Sequence, residues 1–140
     1  MKLTEHFTLE EMTKSQTGAR KGIINNPGQA EIGNLKALCE NVLEKVRAHF
    51  GKPITVNSGF RGVKLNKAIG GAKNSQHITG QAADIEIAGV DNQVLFQWIR
   101  DNLEFDQLIS EYIKPDIANS GWVHVSWNPA GNRKNVLIIK

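Results

Sequence analysis

The sequence predicts an α+β fold in which helices pack on a small, mostly antiparallel sheet, and two observations carry that reading. One long stretch in the first half has apolar residues at helical spacing, and the second half falls into short apolar runs of strand character. The chain has 140 residues, enough for one domain, residues 1–140, with a single core and no help from disulfides or repeats.

In chain order, Thr8 and Glu11 have the spacing of a capping box and predict a short helix over 9–14. The polar stretch 15–28 reads as loop, with a turn at Asn26-Pro27. Ile32, Leu35, Cys39, Val42, Leu43, Val46 and Phe50 then mark an amphipathic helix over 29–50, stopped by Gly51 and Pro53. Cys39 lies on its apolar face and reads as a small buried residue; His49, in the last turn, is given no chemical role. A strand at 54–56 delivers Ser58-Gly59-Phe60-Arg61 into a loop. Asp91 is the N-cap of a second helix running through Val94, Leu95, Trp98 and Ile99 to Asn102. Strands are predicted at 84–87, 108–113, 122–127 and 136–139.

Composition excludes several classes. The net charge is +3 and the sequence pI about 9.1, but lysines and arginines are spread along the chain, which argues against nucleic-acid binding. A lone cysteine cannot form an intrachain disulfide. No window is long and apolar enough for a membrane span. The first 14 residues contain Glu5, Glu10 and Glu11 and lack the apolar core of a signal peptide, so the expected protein is a cytoplasmic monomer as synthesised.

The segment NSQHITGQAADIEI, residues 74–87, raises the question of chemistry. Side chains alternate across a strand, so Ala83, Ile85 and Ile87 share one face and Ala82, Asp84 and Glu86 the other. In WVHVSW, Val123, Val125 and Trp127 share a face, with Trp122, His124 and Ser126 opposite. If the two strands are neighbours, Asp84 and His124 emerge side by side, and His77 closes a triangle from the preceding loop. Two histidines and a carboxylate with one open position form the ligand set of a catalytic zinc site. Each residue also has a structural alternative: His77 capping a loop, Asp84 bonding backbone amides, His124 satisfied within the sheet.

Ser75-x-His77-x-x-Gly80-x-Ala82-x-Asp84, followed by Trp122-Val123-His124, resembles the signature of the zinc D-Ala-D-Ala carboxypeptidase and L-alanyl-D-glutamate endopeptidase family. These are peptidoglycan peptide hydrolases common among bacteriophage endolysins. The opening FTLEEM, Ser58-Gly59-Phe60-Arg61 and residues 66–74 resemble it too, so the likeness spans nearly the whole chain. The resemblance implies a Zn2+ ion held by His77, Asp84 and His124. It also implies that Arg61 binds substrate and steadies negative charge, that Ser75 holds a substrate polar group, and that the chain meets the cell wall after release. A guanidinium's rigid donor fork suits the role given to Arg61.

The chain departs from that pattern at Gly121, where many members carry an acidic general base three residues before the last histidine. Glu111, in QLISEYI, is the first choice as replacement, because members with this gap carry a glutamate in that strand. Asp116 is the reserve, and Glu86 is a candidate partner to a metal ligand. The expected activity is hydrolysis of stem peptides in peptidoglycan, of carboxypeptidase or endopeptidase type. Glu111 would take the proton of water and hand it to the leaving amine. The rival readings are a non-catalytic wall-binding module on the same fold and a nucleic-acid-binding domain.

Overall fold

The computed structural model describes residues 1–140. The chain opens with a hairpin, β1 (Lys2–Thr4) and β2 (Phe7–Thr8), which the sequence pattern is too short to reveal, and which buries Leu3 and Phe7. Thr8 then starts α1 (Leu9–Thr13) through the expected capping box. Its hydroxyl accepts from the Glu11 N–H at 3.2 Å, while the Glu11 carboxylate accepts from the Thr8 N–H at 2.8 Å.

The expected loop at 15–28 contains a helix, α2 (Gln16–Lys21). Its start and stop signals are present in the sequence: Ser15 accepts from the Gly18 N–H, and Gly22 ends it in a left-handed conformation. What is missing is apolar periodicity, because six residues bury only Gly18.

The long helix predicted over 29–50 forms as α3 (Gln29–Leu38), a wider π turn at Cys39–Leu43, and α4 (Glu44–Phe50). At the wide turn the Glu44 N–H bonds the Cys39 carbonyl, five residues back. Leu35, Leu38, Cys39, Val42, Leu43 and Val46 are all fully buried, and each large side chain so placed contributes roughly 1.5–3 kcal/mol. Burial pushes the Cys39 thiol well above its usual pKa, so it is an inert part of the core. His49 stacks on Trp98 at 4.2 Å between ring centres.

Five strands form the main sheet in the order β3 (Thr55–Ser58), β4 (Ala82–Glu86), β6 (Trp122–Ser126), β5 (Gln107–Glu111) and β7 (Asn135–Ile139). All pairings are antiparallel except β5 with β7, in line with the expected mostly antiparallel sheet; strand ends differ from expectation by one or two residues. One face carries Ala83, Ile85, Leu108, Val123 and Val125 into a single core with α3, α4 and α6 (Asn92–Asn102). Asp91 caps α6, as expected. The other face is covered only in part, by the chain between β3 and β4, which includes the unanticipated helix α5 (Val63–Ala68). No helix is long and apolar enough to cross a membrane.

Candidate metal centre

β4 and β6 are neighbours, and in their register Asp84 and His124 are direct Cα partners. Because Ile85 and Val123 are committed to the core, alternation turns Asp84 and His124 to the opposite face. His77 reaches the same point from the loop before β4. One ligand atom from each of the three lies within 4.8 Å of the others. The Asp84 Oδ1 atom is 3.0 Å from His124 Nδ1 and 3.4 Å from His77 Nε2.

The proton positions decide what this cluster can hold. The other ring nitrogen of His77, Nδ1, is 2.7 Å from the Gly59 carbonyl oxygen. A carbonyl only accepts, so Nδ1 carries the proton and a neutral His77 directs its Nε2 lone pair at the Asp84 carboxylate. Two lone pairs facing each other in a buried site repel unless a cation lies between them. Orientation of a ligand histidine by a backbone carbonyl is also the usual outer support of a metal site. The donor set of two imidazole nitrogens and one carboxylate oxygen therefore fits a divalent transition metal such as zinc. Burial opposes charge on Asp84, but the hydrogen bond from His124, with the His77 ring close by, outweighs it and holds the carboxyl well below the usual carboxylate range.

Gly59 is needed for that support. A Cβ there would lie 2.2 Å from the Met12 carbonyl oxygen, which accepts the Phe60 N–H at 2.7 Å. The strand end is thus pressed against α1, and its carbonyl is aimed at His77.

The cluster lies in a polar cleft of about 590 Å3, which also takes in Arg61, Ser75 and Glu111. The Arg61 N–H bonds the His77 carbonyl at 3.0 Å, tying the arginine to the ligand loop. Ser75 Oγ accepts from the His77 N–H at 3.2 Å and from Arg61 Nη2 at 3.5 Å, leaving the hydroxyl proton for a ligand. Arg61 Nε is buried with no partner. Burial lowers the Arg61 pKa from its usual value, against the opposing pull of Asp84 and Glu111.

Glu111 shares the cleft because Gln107, Ile109 and Glu111 alternate onto the metal face of β5, with Ile109 directly opposite His124. Its Cα partner is Trp122, whose indole N–H donates to Glu111 Oε2 at 2.8 Å. Gly121 cannot carry the acid that many relatives of this pattern have. Its φ is 61°, and a Cβ would lie 2.1 Å from the Glu111 carbonyl oxygen. Asp116 is exposed in the β5–β6 connection and does not line the cleft. Glu86 is turned to the same face as Asp84 but borders a separate hollow with Thr55 and Ala88, and it bonds none of the three cluster residues.

Two supports escaped the sequence reading. Trp122 was legible as a site-face residue, although nothing in the sequence joins it to Glu111. Asp106, 1 % exposed, accepts from Gln76 Nε2 at 2.7 Å and from Arg133 Nε and Nη2 at 3.0 Å each, bracing the residue beside His77. Separations of 30 and 27 residues hide this network from any local pattern.

Fold and cluster together define a candidate metal centre of two histidines and an aspartate on the face of the sheet opposite the core. The chain belongs to the peptidase M15 family, whose sequence pattern matches residues 5–126. It is also similar to the zinc D-Ala-D-Ala carboxypeptidase of Streptomyces albus G, at 54 % identity over 44 residues. That match takes in 31 % of this chain and 17 % of the relative, so the chain spans well under two thirds of the curated protein it resembles.

Proposed function

We propose that the chain is a zinc-dependent peptidase acting on peptide bonds of bacterial cell-wall peptidoglycan. The observation that carries this reading is the convergence of His77 Nε2 and His124 Nδ1 on one Asp84 oxygen, in a cleft shared with Arg61 and Glu111. Membership of the peptidase M15 family and the name of the Streptomyces relative support it. His77, Asp84 and His124 would hold the ion. Bound there, zinc supplies a Lewis acid that polarises the scissile carbonyl and lowers the pKa of water to about 7.

The remaining work falls to the chain's own groups. Trp122 occupies Glu111 Oε2, which leaves Oε1 to take a proton from the attacking water and return it to the departing nitrogen. As the C–O bond forms and the C–N bond breaks, Arg61 stands beside the carbonyl oxygen that gains charge. Ser75 holds the Arg61 guanidinium in place and offers its proton to the substrate. No covalent enzyme intermediate is needed.

Digestion of purified peptidoglycan, with new termini identified by mass spectrometry, tests the proposal. Released D-alanine marks a carboxypeptidase; a new D-glutamyl amino terminus marks an endopeptidase. No new terminus from zinc-loaded protein overturns the peptidase reading in favour of a wall-binding module. Termini that still appear with His124→Ala overturn the site.

A further inference from the structure

A second hollow, of about 470 Å3, lies beside the metal cleft, and Arg61 is the one residue that lines both. The two are electrically unlike. The metal cleft mixes Asp84, Asp106 and Glu111 with the cation Arg133, which pairs with Asp106, whereas the second hollow has Lys14, Arg20 and Arg61 and no acidic residue. Its other walls are largely uncharged polar groups, among them Thr17, Asn57 and Ser58.

Two cations of this hollow are not neutralised from elsewhere. Neither Lys14 nor Arg20 has an acidic partner. The acids closest in sequence are engaged: Glu10 pairs with the Met1 ammonium, and Glu11 accepts from the Thr8 N–H. Arg61 Nε, at the boundary, is buried without an acceptor. Three like charges around one concavity raise the local concentration of anions.

We propose that this hollow is a substrate subsite for a carboxylate of the peptide, which it draws across Arg61. The proposal rests on the peptidase reading and deepens it. A peptide laid over Arg61 places one bond at the metal cluster and its carboxylate against Lys14 and Arg20. Stem peptides carry two kinds of such group, the free α-carboxyl of D-glutamate and the chain terminus. Whichever one binds here fixes the direction of the peptide and hence the bond presented for cleavage.

The test uses zinc-loaded full-length protein and three forms of N-acetyl-L-Ala-γ-D-Glu-L-Lys-D-Ala-D-Ala. One has both carboxyls free, one is amidated at D-glutamate, and one is amidated at the C-terminus. Hydrolysis is read as kcat/KM, and binding as chemical-shift changes of the backbone amides of residues 14–20. The wild type should prefer the free form over one of the amidated forms by roughly tenfold, as two partly exposed ion pairs allow, and added salt should shrink that ratio. The amidation that costs the tenfold identifies the carboxylate. In Lys14→Gln/Arg20→Gln, both exposed positions, the ratio should fall to about one. A ratio that persists in the double variant, or peptide addition that leaves the amides of 14–20 unmoved, overturns the subsite. If the wild type hydrolyses none of the peptides, the peptidase reading fails, and the shift changes still decide whether the hollow binds a carboxylate.

Discussion

Glu111 and Trp122 face each other across β5 and β6, and the indole N–H fixes one carboxylate oxygen at 2.8 Å. A carboxylate held by one oxygen keeps a defined direction for the other, which is what proton transfer within a cleft requires. Glu111→Gln should therefore keep zinc and fold while kcat falls about 100-fold or more, the usual contribution of a general base. Asp116→Asn, exposed and outside the cleft, should change kcat little. Zinc content and cleavage rate measured side by side decide the matter; an active Glu111→Gln beside a zinc-loaded, inactive Asp116→Asn would transfer the role. Arg61→Ala should likewise retain zinc and lose about 100- to 1000-fold in kcat, the range found when an oxyanion donor is removed. Arg61→Lys should recover only part of this, since a point charge lacks the planar fork that reaches Ser75. Cleavage by Arg61→Ala at the wild-type rate would reduce Arg61 to a brace for the ligand loop.

At the level of elements, Asp106 joins four segments. Its backbone N–H bonds Ser126 of β6, its carbonyl accepts from Asn135 of β7, and its buried carboxylate holds Arg133 and Gln76. The hydrogen bond from Arg133 outweighs burial and holds the carboxyl below its usual pKa. A depressed folded-state pKa gives stability that is complete above the unfolded value of about 3.9 and is lost as pH falls through the folded value. Asp106→Asn should therefore cost about 0.5–1.5 kcal/mol at pH 7, the usual net worth of a hydrogen bond, because the Arg133 donors that lose their acceptor are largely exposed, and should flatten the loss of stability below about pH 4. Urea unfolding of both proteins from pH 7 down to pH 3 reads this; parallel pH curves would remove Asp106 from the account. Sequence could not have supplied this network, whereas it supplied much around it. The alternation of β4 and β6 placed Asp84 and His124 together because core residues at every second position fix the face of the others. By contrast β1, β2, α2 and α5 are too short for a period to emerge. Gly121 shows the same limit: the missing acid was legible, but its cause, close approach to the Glu111 carbonyl, is tertiary.

Across the whole molecule, the three cluster residues come from β4, β6 and the loop that precedes β4, so an ion bound to them ties the covering chain to the sheet. The core lies on the other face, with its large residues fully buried, and does not depend on that ion. The protein should consequently stay folded without zinc but melt lower, because a ligand that binds only the folded state stabilises it by mass action. At a free zinc concentration 100 times the dissociation constant this amounts to about 2.7 kcal/mol, or roughly 10 °C in a domain of this size. Residual zinc binding by imidazoles of the unfolded chain would trim the shift but not abolish it. His77→Ala removes a ligand, so its melting temperature should be insensitive to zinc or chelator while its far-ultraviolet circular dichroism matches the wild type. Thermal melts of both proteins, with chelator and across a zinc titration, measure the difference directly. A zinc-dependent rise of the same size in a His77→Ala/His124→Ala protein would place the stabilising metal elsewhere in the molecule.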